Sequence, residues 1–177
     1  MNKIFAGMMF IFINFHINIG AARVGLIPDF IGYIFMMQGL IQLQGFSPRF
    51  AKIKPFVLIM IIYSVITYVL DLIGVLYSVG PLFGGILGGV YMGVSLYISY
   101  NIVMAVKEIE KAEGNDLNSE NLFRAWRLLA VFLVLSTVIL LAPMLGIFAI
   151  VLAFVFAINY LVKFYRTKNL FNEMHCA

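Results

Sequence analysis

Charged residues are scarce in this chain, and so are the residue types on which most catalytic and metal sites depend. Only 11% of the 177 residues are Asp, Glu, Lys or Arg, against about 25% in a typical soluble domain. The single cysteine, Cys176, excludes an intramolecular disulfide. Histidine occurs only at His16 and His175, near opposite ends of the chain. Too little charge is present to cover the surface of a soluble domain of this size.

The motifs that assemble catalytic or cofactor-binding groups are also missing. The sequence contains no G-x-S-x-G, H-E-x-x-H or C-x-x-C motif and no phosphate-binding P-loop. A nucleophile needs a neighbouring base, and the two histidines are predicted to lie on opposite sides of a membrane. His175 and Cys176, on a C-terminal tail that is predicted to be frayed, are too few ligands for a metal site. We therefore expect no enzyme activity, no cofactor and no metal.

Apolar residues make up 63% of the chain and are arranged in long segments. Six such segments cover about residues 4–19, 29–44, 56–79, 82–106, 123–143 and 146–163. A membrane-spanning helix needs about 17–25 apolar residues, so the first two segments are at or below the lower limit. The sequence predicts an all-α bundle of six transmembrane helices, arranged as three hairpins in a single domain of residues 1–177.

The basic residues are distributed asymmetrically between the two sets of loops. With the N-terminus in the cytoplasm, the outer loops hold only Arg23. The other Lys and Arg residues fall in the inner loops: Lys3, Arg49, Lys52, Lys54, Lys107, Lys111, Arg124, Arg127, Lys163, Arg166 and Lys168. The positive-inside rule therefore predicts that both termini are cytoplasmic. The net charge of +4 indicates membrane orientation rather than nucleic-acid binding.

Asp71 most requires explanation, because an Asp at the centre of a membrane helix costs about 2.5–3.5 kcal/mol on insertion scales. It is predicted to lie in the outer half of the third segment. Spacings of three and four place it in one stripe with other small or polar residues: Ser64, Tyr68, Gly74 and Ser78. This stripe must face protein or water, and Tyr91 of the fourth segment is predicted to donate a hydrogen bond to Asp71.

Other polar residues are predicted to gather at a similar depth. Asn14, His16 and Asn18 interrupt the first segment, with Asn14 and Asn18 expected on one helix face. Arg23 and Asp29 follow at the outer edge, where Asp29 also fits the N-cap of the second helix. Two interpretations stay open: the polar groups hold a ligand or an ion, or they satisfy one another and fix helix packing.

The fourth segment carries a tandem run of small residues, which consists of Gly84, Gly85, Gly88, Gly89 and Gly93. Small residues four apart let two helix backbones approach closely in lipid. We expect these glycines to pack against the third helix. The alternative is that they line a small cavity.

The longest polar stretch, residues 107–121, is predicted to be a cytoplasmic loop. The fourth helix is expected to continue through Lys111 and to stop at Gly114-Asn115, and Asn118 or Ser119 is expected to cap the next helix. One face of that helix then carries the apolar and aromatic residues Leu122, Phe123 and Trp126, with Arg124 and Arg127 beside it. This face is interpreted either as an interfacial anchor or as a docking surface for a cytoplasmic partner.

Four stretches of the N-terminal third carry a resemblance: residues 10–15, residues 26–34, Gly39-Leu40 and residues 50–55. They resemble a group of small multi-pass membrane proteins of low-GC Gram-positive bacteria with an L-I-P-D-F-I-G-Y motif, which here is residues 26–33. The resemblance implies a bacterial plasma-membrane protein and no particular chemistry. The layout is also similar to that of the substrate-binding membrane subunits of energy-coupling-factor vitamin transporters, although no diagnostic motif of those subunits is present.

The predicted function is a small-molecule or ion transporter, or the membrane subunit of one, with a polar site in the outer half of the bilayer. Asp71 would accept a proton or cation or anchor a ligand, and the supporting groups would be Asn14, His16, Asn18, Tyr68 and Tyr91. The alternative is a non-catalytic accessory, assembly or sensory membrane protein. It would act through its cytoplasmic loop on a membrane or cytoplasmic protein partner.

Overall fold

The structure is a computed structural model, which describes residues 1–12, 16–19, 22–25, 28–74, 81–139 and 143–176. The described residues form six helices and a two-stranded hairpin, which confirms the predicted helical class. In chain order the elements are α1 (Asn2–Phe12), β1 (His16–Ile19), β2 (Ala22–Gly25), α2 (Asp29–Leu43), α3 (Pro48–Leu72), α4 (Pro81–Glu113), α5 (Ser119–Ile139) and α6 (Pro143–Cys176). They divide into an N-terminal unit, Asn2–Ile98, and a C-terminal unit, Ser99–Ala177, which also includes Met1.

The first predicted segment, residues 4–19, is not a single helix. α1 ends at Phe12, and β1 then pairs antiparallel with β2, with Asn18 opposite Arg23. The sequence His-Ile-Asn-Ile of β1 alternates polar and apolar residues, and isoleucine favours strands. The prediction of a helix face shared by Asn14 and Asn18 is therefore wrong, because Asn18 lies in a strand. Asn14 itself lies outside the described residues.

The first two helices are too short to cross a bilayer by themselves. α1 has 11 residues and α2 has 15, which corresponds to about 16 Å and 22 Å at about 1.5 Å per residue. The hydrocarbon core of a bilayer is about 30 Å thick. The six predicted transmembrane helices are therefore not confirmed for this part of the chain.

α1 and α2 pack against each other through glycines. A Cβ atom placed on Gly7 would lie 2.5 Å from the carbonyl oxygen of Gly32, and one placed on Gly39 would lie 2.5 Å from a side-chain carbon of Ile4. A larger residue at Gly7 would collide with backbone, so the two helices approach as closely as glycine permits. The stacked rings of Phe10 and Phe35 extend the contact.

The glycine run of α4 makes no comparable contact in the described part of the chain. The rings of Phe56 and Tyr97 lie 4.8 Å apart, and the Tyr63 hydroxyl donates a 3.1 Å hydrogen bond to the Leu87 carbonyl. These long side chains connect α3 to α4, and the predicted packing against α3 does not form at the four described glycines of the run. A Cβ atom would meet no described atom within 4 Å at Gly85, Gly88, Gly89 or Gly93. The surroundings of Gly84 lie outside the described part of the chain.

α3 ends earlier than the predicted segment of residues 56–79. It stops at Leu72, and Gly74 adopts a φ of +72° while its N–H donates to the Asp71 carbonyl. Asp71 therefore lies in the last turn of the helix, nearer to its end than the sequence predicts. Ser64, one member of the predicted stripe, donates its hydroxyl to the Met60 carbonyl at 2.6 Å. Ser78 lies outside the described residues.

The connection from α4 to α5 agrees with the prediction. α4 continues through Glu113, and Gly114 ends it with a φ of +71°, a conformation that glycine adopts readily. α5 begins at Ser119 with Glu120 in its first turn. α5 and α6 then pack as an antiparallel pair, in which the Phe132 and Phe156 rings stack at 4.4 Å.

α6 is 34 residues long and continues to Cys176, so the prediction of a frayed tail after Lys168 is wrong. A row of side chains at helical spacing is buried along its second half, which explains why the helix continues. The row consists of Tyr160, Phe164, Thr167 and Phe171. Near the end, the His175 Nε2 atom lies 3.2 Å from Glu113 Oε1 at the end of α4.

Two of the described helices are long and apolar enough to cross a membrane, judged by length and composition. They are Pro48–Leu72 and Gly85–Glu113, and only 22% and 28% of their most apolar stretches are buried. A row of large apolar residues on α3 is exposed, made up of Leu58, Ile59, Ile62, Ile66 and Val69. Soluble monomers rarely expose such continuous apolar surfaces. These features support association with a membrane, and six crossings stay a prediction.

Candidate functional site

Two helices of the N-terminal unit carry polar pairs with the same spacing. Asp29 and Tyr33 lie four residues apart on α2, and Tyr91 and Ser95 lie four apart on α4, so each pair occupies one helix face. The Tyr91 hydroxyl donates a 2.8 Å hydrogen bond to Asp29 Oδ2. The Tyr33 hydroxyl and Ser95 Oγ are also 2.8 Å apart. The two contacts are one turn apart on both helices, so α2 and α4 run parallel here.

The two contacts are joined into one network. The Tyr33 and Tyr91 rings meet edge to face with centroids 6.4 Å apart, which connects the two hydrogen bonds. Tyr33 is buried, whereas Asp29 is partly exposed. We call the set Asp29, Tyr33, Tyr91 and Ser95 the tyrosine network. Its hydroxyls form hydrogen bonds within the unit, and its carboxylate accepts one of them from Tyr91.

α3 adds an aromatic wall to the network. The Tyr63 ring lies 5.9 Å from the Tyr91 ring. One turn or more further along α3, Tyr68 meets Phe30 edge to face at 5.8 Å. Tyr68 thus contacts the residue that follows Asp29 at the start of α2. Aromatic faces and a carboxylate together suit a cation or a ligand with hydrogen-bond donors.

The structure brings some of the predicted site residues together and separates others. Asp29 and Tyr91 are in direct contact, and Tyr68 contacts Phe30, which follows Asp29 in the chain. The predicted hydrogen bond from Tyr91 to Asp71 is wrong, because Tyr91 donates to Asp29 instead. Asp71, in the last turn of α3, does not join the tyrosine network. Its carboxylate lies near the negative end of the helix dipole, which is an unfavourable position for an acidic residue.

The predicted capping role of Asp29 is also wrong. Pro28 occupies the N-cap position of α2 and supplies no side-chain cap, while Asp29 is the first helical residue. A carboxylate in the first turn still benefits from the helix dipole.

Three further predicted site residues, His16, Asn18 and Arg23, lie in the β-hairpin, and Asn14 lies outside the described residues. Asn18 of β1 pairs with Arg23 of β2, and His16 pairs with Gly25. β2 lies against α3, so these positions belong to the same unit as the tyrosine network.

Tyr33, Tyr63 and Ser95 were not predicted as site residues. Each looks like an ordinary member of an apolar helix when it is considered alone. The useful signal was the equal spacing of two polar pairs, Asp29 with Tyr33 and Tyr91 with Ser95, since equal spacing allows two contacts to form between parallel helices.

A second polar arrangement fixes the loop between α4 and α5. Glu110 Oε2 accepts hydrogen bonds from the Leu117 N–H at 2.8 Å and the Ser119 N–H at 3.0 Å, and Oε1 accepts from the Ser119 hydroxyl at 2.6 Å. Asp116 accepts the Asn118 N–H at 2.7 Å. Glu110 thus holds the start of α5, and the Ser119 hydroxyl, predicted as a possible cap, donates to Glu110.

The predicted aromatic face of α5 is partly packed inside the unit, since Leu122 is buried, and the neighbouring Arg124 and Arg127 are exposed. Trp126 stacks on Phe123 with centroids 6.0 Å apart and donates from Nε1 to Ser99 Oγ at 2.9 Å. Lys107 forms a 2.9 Å ion pair with Glu120. The hydrogen bond and charge of Lys107 lower the pKa of the exposed Glu120 carboxyl.

The loop also borders an open cleft of about 310 Å³. The cleft is lined by Asn115, Asp116, Leu170, Glu173 and Met174. Within the described residues, no three His, Cys, Asp or Glu side chains are grouped as a metal site would require.

No protein-family model, curated protein or solved structure matches this chain. The site is therefore interpreted from its own chemistry.

Proposed function

We propose that this chain is a small integral membrane protein that transports a small molecule or an ion, alone or as the membrane subunit of a transporter. Its ligand binds beside Asp29 in the tyrosine network. The observation that carries this proposal is the position of that network: a carboxylate and three hydroxyls link two helices of an otherwise strongly apolar unit. Ionisable residues inside membrane proteins usually mark ligand or ion pathways, because placing them there is costly.

The exposed apolar surfaces support the membrane part of the proposal. α3 exposes a row of large aliphatic residues. Contact with the acyl chains of a bilayer is favourable for such a surface, whereas contact with water is not. The basic residues support the orientation, with both termini in the cytoplasm of a bacterial cell. α1 and α2 form an antiparallel pair, so the chain begins at α1 and leaves α2 on the same, cytoplasmic side. The proposed orientation of the later helices therefore holds whether or not this pair crosses the bilayer fully.

Native Cys176 permits a direct test of the orientation, since it is the only cysteine. A membrane-impermeant maleimide should label it only after the cells are permeabilised. Labelling in intact cells would place the C-terminus outside and contradict the proposed threading.

Asp29 is the central residue of the proposed site, with Tyr91 as its positioning group and Tyr63 and Tyr68 as the aromatic wall. Asp71 is a second acidic group of the same unit that would serve on the path of the ligand. The carboxylate and aromatic faces favour a cationic ligand or one rich in hydrogen-bond donors.

Ligand binding can be tested by the thermal stability of the purified protein in detergent with Na⁺, K⁺, guanidinium and tetramethylammonium as probes. We expect at least one of the probes to raise the Tm of the wild type and not that of Asp29→Asn, because a ligand that binds only the folded state stabilises it. Tyr68→Phe, which keeps the ring, serves as a matched control and should keep most of the response. An equal response of Asp29→Asn and wild type would contradict the site.

A second candidate function is supported by the loop between α4 and α5. Glu110 holds this loop in one conformation, and the loop borders the open cleft. Such a surface suits an accessory or sensory membrane protein that docks a cytoplasmic partner. A photo-crosslinker at Asn115 should then capture one defined partner in cells, and Asp116→Ala should reduce the capture. Failure to capture the same protein repeatedly would count against this function.

A further inference from the structure

One exposed face of α5 changes from charged to apolar within a single turn. Arg124 and Arg127 are exposed, and the next exposed residues on the same face are apolar. These apolar residues are Leu128, Val131, Val134 and Leu135. Spacings of three and four place them below the two arginines along one side of the helix.

The exposed face of α6 changes from apolar to basic along the chain, which is the reverse of the order on α5. Exposed apolar residues end at Val162, which is 59% exposed, and Lys163, Tyr165 and Arg166 follow. The apolar part of this face comprises Val151, Leu152, Val155, Ile158 and Val162.

The two changes occur at nearly the same level of the α5–α6 pair. Phe132 and Phe156 stack at 4.4 Å and mark a common height on the antiparallel helices. From this height, Arg127 lies about 8 Å along α5 and Lys163 about 11 Å along α6 in the same direction, at about 1.5 Å per residue. A single plane therefore separates apolar from basic surface on both helices, as at the boundary between the acyl chains and the headgroups of a bilayer.

The basic side of this plane carries an excess of positive charge. Arg124, Arg127, Lys163 and Arg166, which we call the basic collar, lie just beyond the apolar surface. The carboxylate on the same part of α5, Glu120, forms an ion pair with Lys107. Trp126 and Tyr165 lie at the same level, and such aromatic residues are typical of the membrane interface.

We propose that the basic collar binds the headgroups of anionic phospholipids, with the acyl chains lying along the exposed apolar faces of α5 and α6. This inference rests on the proposed membrane insertion and extends it, because it names the lipid class that the protein selects. Arginine suits a phosphate through paired N–H donors. Each basic residue near an anionic membrane surface strengthens the binding about fivefold, so the loss of a single residue is measurable.

The test uses the full-length protein in detergent and compares the binding of phosphatidylglycerol and phosphatidylcholine by native mass spectrometry. Wild type should bind phosphatidylglycerol more tightly than phosphatidylcholine. Arg127→Gln should weaken phosphatidylglycerol binding about fivefold, and the double variant Arg124→Gln with Arg127→Gln about 25-fold. Binding of phosphatidylcholine should not change, because that headgroup has no net charge.

Two variants keep the result specific. Arg127→Lys keeps the positive charge and should retain most of the preference. Lys111→Gln removes one exposed positive charge from the last turn of α4, away from the apolar surface, and should leave the preference unchanged. A loss in Lys111→Gln equal to that in Arg127→Gln would show only a response to net charge and would overturn the proposal.

The outcome also separates this proposal from membrane insertion itself. If the protein stays in the membrane after an alkaline carbonate wash but shows no preference for phosphatidylglycerol, the lipid proposal fails alone, and an acidic protein segment becomes the partner that fits the collar. If the wash releases the protein, the proposed insertion fails as well.

Discussion

Tyr91 donates a 2.8 Å hydrogen bond to Asp29, and one turn further along both helices Tyr33 meets Ser95 at the same distance. The two contacts set the register of α2 against α4. A shift of either helix by one residue would break both contacts at once and leave polar groups unsatisfied inside the unit. The tyrosine network thus positions the proposed ligand site and also holds its two helices together.

Removing the Tyr91 hydroxyl should destabilise the protein modestly. In Tyr91→Phe the ring contacts stay and the hydrogen bond to Asp29 is lost, for which we expect a loss of about 1–2 kcal/mol in the free energy of unfolding. Thermal unfolding in detergent, followed by circular dichroism, measures the change. Tyr68→Phe is the matched control and should be nearly neutral, since the Tyr68 contact with Phe30 is made by the ring. Equal losses in both variants would contradict a specific role for the Tyr91 hydroxyl.

Glycine positions in α1 and α4 should respond in opposite ways to the same substitution. Gly7→Ala places a methyl group 2.5 Å from the Gly32 carbonyl oxygen and should destabilise the protein by about 1–3 kcal/mol. Gly89→Ala meets no described atom within 4 Å and should be neutral or stabilising by up to about 1 kcal/mol, because alanine favours helix. The same unfolding measurement compares them. A larger loss for Gly89→Ala than for Gly7→Ala would mean that α4, and not α1, makes the close contact.

Glu110 should control the order of the loop before α5. Glu110→Gln removes the charge that accepts three hydrogen bonds, so the Leu117 and Ser119 amides should exchange with deuterium faster, with a loss of about 1–3 kcal/mol in stability. Glu173→Gln removes an exposed carboxylate on the other side of the cleft and is the control. Unchanged exchange at residues 117–119 in Glu110→Gln would refute the role of Glu110.

The Lys107–Glu120 pair predicts a specific pH dependence. Folding lowers the pKa of Glu120, so the stabilisation from this carboxylate is present above the ordinary value of 4.5 and is lost as the pH falls through the lowered value. An NMR titration of Glu120 should give a midpoint below 4.5, and Lys107→Gln should return it toward 4.5. High salt should weaken the shift because both groups are exposed. A midpoint unaffected by Lys107→Gln would contradict the assignment.

Local chemistry made parts of the fold predictable. The end of α4 at Gly114 and the start of α5 at Ser119 follow from a glycine that accepts the left-handed conformation and from a cluster of capping residues. Both effects act over a few residues, so the sequence contains nearly all the information that they need.

The first segment could not be assigned in the same way. Residues 16–19 are apolar enough for a membrane helix and alternate well enough for a strand, so the choice depends on tertiary contacts such as that of β2 with α3. The glycine run of α4 is a similar case. Small residues permit close approach, but Phe56, Tyr63 and Tyr97 decide the spacing of α3 and α4 by filling it.

The candidate site was found in part. The sequence identifies Asp29 and Tyr91 as polar groups of apolar segments, but it predicts Asp71 as the partner of Tyr91. Asp71 lies on α3 and Asp29 lies on α2. The tertiary structure brings the Asp29 carboxylate within hydrogen-bond distance of the Tyr91 hydroxyl on α4. Tyr33 and Ser95 became recognisable as site residues only once that register was known.

The most direct test of the whole account asks what covers the exposed face of α3. In a Cys176→Ser background, spin labels at Ile62, Ile66 and Ser64 would be studied in bilayers by electron paramagnetic resonance. Ile62 and Ile66 are 54% and 53% exposed, whereas Ser64 is buried. We predict that labels at Ile62 and Ile66 collide often with oxygen, which dissolves in lipid, and rarely with a water-soluble nickel chelate. The label at Ser64 should be shielded from both, and frequent collision of the Ile62 and Ile66 labels with the nickel chelate would contradict a membrane-spanning α3.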